Sequence, residues 1–164
     1  TSLGGSLLFE FEKENNTIKD TVVEANLRGA DLRGANLRGA DLYGANLEKL
    51  PQTYINECSQ QMLYIFNYLQ PELPFLREEL VAGNVEGSVY EGDCACLFGT
   101  MAHGFKKPVD EVCSLVPFYV KDSTNPAEAW FLNIHKGDTP ENNAFAKHAL
   151  MLIDMVLGKP KKKK

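Results

Sequence analysis

The most constraining feature of the sequence is a period of five residues that runs from Ala25 to Lys49. Five matches neither the 3.6-residue period of a helix nor the two-residue period of a strand. Glycine at every fifth position would also weaken a helix by about 1 kcal/mol each time. The period therefore predicts a coil that turns a corner at each repeat, with leucine and alanine inside and glycine at the corner. The leucines are Leu27, Leu32, Leu37, Leu42 and Leu47, and the glycines are Gly29, Gly34, Gly39 and Gly44.

The segment that carries these repeats resembles the pentapeptide-repeat family, and residues 25–47 carry the resemblance. The resemblance implies a right-handed quadrilateral β-helix with four pentapeptides per coil, which amounts to about one coil in this chain. Leu27 would then lie one strand spacing, about 4.8 Å, from Leu47. A single repeat coil leaves two open faces, so we expect flanking segments of the chain to cap it.

The sequence on either side of the repeats predicts an α+β fold in four parts. Residues 1–24 predict a strand and a short helix that cap the coil, and residues 25–50 form the β-helix. Residues 51–158 predict a mostly α-helical domain that packs against the coil, and residues 159–164 form a basic, disordered tail.

Apolar spacing, proline and capping residues place the helices of the C-terminal half. The predicted helices span residues 53–69, 75–82, 94–103, 108–112, 126–135 and 140–158, with Asn125 and Thr139 as N-caps of the last two. Residues 85–92 predict a glycine-punctuated loop or hairpin. The stretches 87–100, 125–131 and 137–143 resemble the C-terminal region of phage-associated pentapeptide-repeat proteins, which implies a phage or prophage setting rather than a reaction.

The distribution of charge limits the classes of partner that the chain is expected to bind. The chain has 17 basic and 22 acidic residues, and five of its lysines lie in the last six positions. Residues 1–158 therefore carry 12 basic and 22 acidic residues, a net charge of −10. An acidic body repels nucleic acid, so nucleic acid is not an expected partner except through the lysine tail. No apolar stretch is long enough to cross a bilayer, and no membrane partner is expected.

The four cysteines hold the only constellation with a possible chemistry. Cys94 and Cys96 precede His103, and a thiol at a helix N-terminus gains thiolate character. His103 would lie more than two helical turns away, too far to serve as the base, so packed thiols in a reducing cytoplasm are the favoured interpretation. A zinc site that adds Cys58 or Cys113 lacks the usual ligand spacing. We therefore expect no metal and no cofactor.

The position after each repeat leucine is expected to face solvent, and it places Arg28, Arg33, Arg38 and Tyr43 on the surface as candidate binding residues. The predicted function is a non-enzymatic, phage-associated protein–protein interaction module. Its expected partner is a bacterial host or defence protein in the cytoplasm, which it would inhibit or modulate. A homodimer through an exposed edge or face of the coil is also expected. Two alternatives stay open: an enzyme that uses Cys94 or Cys96, and an acidic DNA mimic that acts on a DNA-binding protein such as gyrase.

Overall fold

A computed structural model describes Leu42 and residues 47–87, 97–119 and 125–158. Within these ranges the regular structure is helical and includes no strand. The six helices are α1 (Gln52–Tyr68), α2 (Leu73–Ala82), α3 (Leu97–Phe105), α4 (Val109–Ser114), α5 (Pro126–Phe131) and α6 (Ala144–Val156), with 3₁₀ turns at Leu47–Lys49 and Gln70–Glu72. The predicted helical character of the C-terminal half is confirmed over these ranges. The predicted N-terminal cap, most of the predicted coil and the lysine tail lie outside the described residues.

Helix α1 forms because its apolar residues repeat at spacings of three and four. The predicted face is confirmed, since Cys58, Met62, Ile65 and Leu69 are fully buried and Ile55 is half-buried. The helix starts after Pro51, whose lack of an N–H is harmless at that position. The last predicted repeat ends in the 3₁₀ turn Leu47–Lys49 rather than in a strand.

Helix α2 begins earlier than predicted. Pro71 and Pro74 were expected to keep the chain out of a helix until Phe75, but Pro74 lies in the first turn of α2. Proline is tolerated there because the first N–H groups of a helix have no intrahelical partner. The predicted end at Gly83 is confirmed, where a φ of 73° places the residue in the left-handed region that favours glycine.

Helices α3 and α4 extend beyond their predicted C-terminal ends. Helix α3 ends at Phe105 rather than His103, and α4 ends at Ser114 rather than Val112. The predicted start of the first of these helices, at Cys94, lies outside the described residues.

Helix α5 is shorter than predicted, and α6 starts later. Asn125 caps α5 as predicted, because its side chain accepts from the N–H of Ala127. The helix ends at Phe131 and not near His135, because the N–H groups of Asn133 and Ile134 donate to the carbonyls three residues before them, while Nδ2 of Asn133 donates to the carbonyl of Ala129. Thr139 was predicted to cap α6, but the cap is Asn143, whose Oδ1 accepts from the N–H groups of Phe145 and Ala146. The predicted stop at Gly158 is consistent with its φ of 65°.

The core forms where the apolar faces of these helices meet. Helix α1 packs against α5 and α6, α2 packs against α3 and α6, and α3 packs against α4 and α5. Trp130, Phe66, Phe98, Phe131 and Phe145 are its largest fully buried side chains. None of the described helices combines the length and the apolar character that a bilayer crossing requires.

Candidate functional site

The candidate site is the junction between the repeat segment and the helices, defined by Leu42, Asn133 and Asn143. Leu42 is one of the five repeat leucines, and its side chain is fully buried in the same core as the helices. Its backbone N–H donates to Oδ1 of Asn133, with 2.6 Å between the two atoms. The two residues are 91 positions apart in the sequence, so this bond ties the repeats to the C-terminal half.

The acceptor at the junction, Oδ1 of Asn133, belongs to an amide that bonds within the helical part hold in place. The Nδ2 group of Asn133 donates to the carbonyl of Ala129 at 2.8 Å, which orients the amide. The carbonyl of Asn133 accepts from Nδ2 of Asn143 at 2.9 Å, and that same Nδ2 donates to Oδ2 of Asp138 at 2.8 Å. Buried amides that are fully hydrogen-bonded specify one arrangement of the core, because an unpaired one is costly.

A second contact between loops braces the turn that follows α5. The N–H of Gly87 donates to the carbonyl of Ile134 at 2.7 Å, and the N–H of Gly137 donates to the carbonyl of Gly83 at 2.7 Å. Oε2 of Glu86 accepts from the N–H of Lys136 at 3.0 Å. The segments 83–87 and 134–137 therefore run side by side, and we call this contact the loop seam. It holds in place the stretch of chain that carries Asn133.

Trp130 packs against aromatic side chains of α1 and α6. Its Nε1 donates to the carbonyl of Phe145 at 3.0 Å. Its ring lies 4.8 Å from the ring of His148 and 6.4 Å from that of Tyr54, centroid to centroid. Burial lowers the pKa of His148, and burial followed by the neighbouring Cys58 raises the pKa of Tyr54. His148 is therefore neutral at pH 7.

The pair formed by Ser59 and His148 has the distance of a nucleophile and its base, but the wrong proton arrangement. Ser59 Oγ lies 2.8 Å from His148 Nε2. The same hydroxyl donates its single proton to the carbonyl of Ile55 at 2.6 Å. Nε2 of His148 must then be the donor, so it cannot take a proton from the serine. The contact holds α1 against α6.

The predicted catalytic and metal candidates are only partly described. His103 is exposed in the last turn of α3, while Cys94 and Cys96 lie outside the described residues. Cys58 is buried in α1 and Cys113 is half-buried in α4. In the described parts of the chain, no three His, Cys, Asp or Glu side chains are grouped to hold a metal ion. Arg28, Arg33, Arg38 and Tyr43 also lie outside the described residues.

Asn133 and Asn143 were not predicted from the sequence as site residues. Asn133 follows the apolar run of α5. What distinguishes it from other asparagines is its burial, and burial cannot be read from a sequence. Asn143 sits one residue before Ala144 and could have been found as an N-cap, since asparagine is favoured at that position. Thr139 and Pro140 form a stronger N-cap pattern nearby, so the helix was predicted to start there instead.

Comparison with known proteins adds one finding to this geometry. Residues 23–49 match the family model described as "Pentapeptide repeats (8 copies)". The searches of curated proteins and of solved structures found no match. Pentapeptide repeats imply a right-handed β-helix and suggest a protein–protein interaction module, and proteins that carry them are in general non-enzymatic. By this match residues 23–49 are pentapeptide repeats, and residues 1–22 and 50–164 lie outside it.

Proposed function

We propose that the protein is a non-enzymatic protein–protein interaction module. In this proposal residues 1–24 cap about one coil of right-handed β-helix at residues 25–50, and the helical domain at 51–158 carries that coil. The observation on which it rests is the hydrogen bond from the N–H of Leu42 to Asn133. That bond joins a repeat residue to an amide of the helical part whose orientation is fixed by its own hydrogen bond to Ala129.

A rigidly mounted repeat segment suits binding because association costs less when the contact surface is already ordered. The buried side chain of Leu42 and the fixed amide of Asn133 both restrict movement at the junction. The surface that binds the partner would then consist of the exposed repeat positions Arg28, Arg33 and Arg38, together with Tyr43. Arginine and tyrosine are enriched among the residues that dominate protein–protein binding.

The setting that we propose is a phage or prophage, and the partner a host or defence protein of the bacterial cytoplasm that the module inhibits or modulates. The support is the resemblance of three C-terminal stretches to phage-associated proteins of this kind. In the structure, two of those stretches contain helix N-caps, Asn125 for α5 and Asn143 for α6. One of these stretches includes Asn143, which bonds to the carbonyl of Asn133, the residue that accepts from Leu42.

The test is affinity capture from a bacterial lysate with the immobilised full chain. We expect one bacterial protein to be retained by the wild type and lost from the triple variant Arg28→Ser, Arg33→Ser, Arg38→Ser. Met155→Ser, which changes an exposed side chain of α6, is the control and should retain it. Retention of no bacterial protein, or equal retention by the triple variant, would contradict the proposal.

A thiol-labelling experiment separates this proposal from a cysteine-dependent enzyme. Under native conditions at neutral pH we expect slow labelling of Cys94 and Cys96, with rates similar to that of half-buried Cys113. Buried Cys58 should label only on unfolding and serves as the internal control. Rapid labelling at Cys94 or Cys96, suppressed in His103→Gln, would favour the enzyme instead.

A further inference from the structure

We draw no further inference here: the strongest candidate, the exposed aromatic surface patch formed by Tyr64 and Tyr68 on α1 and by Phe118 in the loop after α4, carries none, because nothing in the described residues shows what covers it.

Discussion

At the scale of single residues, Asn133 is a buried polar residue that bonds to Leu42, Ala129 and Asn143. One oxygen of its side chain accepts the N–H of a repeat residue, while its Nδ2 and its carbonyl are engaged within the helical part. The ion pair between Arg77 and Asp154 at 2.7 Å is about a third exposed, and pairs of that kind contribute little. A neutral amide in the core therefore decides the arrangement, because its unpaired form is the costly one.

Replacing this amide should destabilise the protein. We expect Asn133→Ala to lower the free energy of unfolding by about 1–3 kcal/mol, since the buried N–H of Leu42 loses its acceptor. The matched control is Asn67→Ala. Asn67 also donates to the carbonyl four residues before it, but it is exposed, so its loss should cost less than about 0.5 kcal/mol. Chemical denaturation measures both, and equal losses would contradict the role of the junction.

His148 should make stability depend on pH. Burial lowers its pKa in the folded state, so below its usual value of about 6.5 the unfolded chain binds a proton that the folded chain resists. The free energy of unfolding should therefore fall as pH drops below about 6.5. Denaturation at pH 7.5 and 5.5 should show a smaller fall for His148→Gln than for the wild type. His103→Gln, at an exposed position, should keep the wild-type fall, and the same fall in all three proteins would refute the argument.

At the scale of elements, the loop seam explains how a short helix and a turn can carry a fixed acceptor. Helix α5 has only six residues and would not be stable by itself. The carbonyl of Ile134 and the N–H of Lys136 are bonded to the segment that follows α2. The loop seam therefore restricts the movement of the segment next to Asn133 by bonding it to the end of α2.

Gly87 is the position where the seam is most sensitive. A Cβ built there would lie 1.6 Å from the carbonyl oxygen of Phe131, a backbone atom that cannot move freely. We expect Gly87→Ala to lower the free energy of unfolding by about 3 kcal/mol. Gly137→Ala is the control, because its φ of 95° adds strain but no atom lies within 4 Å, so about 1–2 kcal/mol is expected. Similar losses for the two variants would show that contact at the seam is not the cause.

At the scale of the whole molecule, the buried side chain of Leu42 makes the repeats and the helices parts of one core. In the proposed fold, a repeat segment of about one coil could not bury its faces alone and would depend on this shared core. Cooperative unfolding is the consequence that can be measured.

We expect both parts to unfold together. Fluorescence of Trp130, the single tryptophan, follows the helical core, and hydrogen exchange at the amide of Leu42 follows the junction. The two probes should report the same free energy of unfolding in the wild type. In Asn133→Ala the Leu42 amide should exchange faster than the amides in the middle of α1. Fast exchange at Leu42 in the wild type, with the core protected, would mean that the repeats open independently.

The sequence by itself determined the repeat, the helical character of the C-terminal half and the buried face of α1, because periodicity is local and survives in a single sequence. The ends of α5 and α6 could not be predicted in the same way. Thr139–Pro140 and Asn143 are both plausible starts, and the bonds of the buried Asn143 side chain to Asn133 and Asp138 accompany the second. Only the tertiary structure brought Leu42 to Asn133 and Pro117 to Tyr64, because a hydrogen bond across 91 or 53 residues leaves no spacing that a sequence can show.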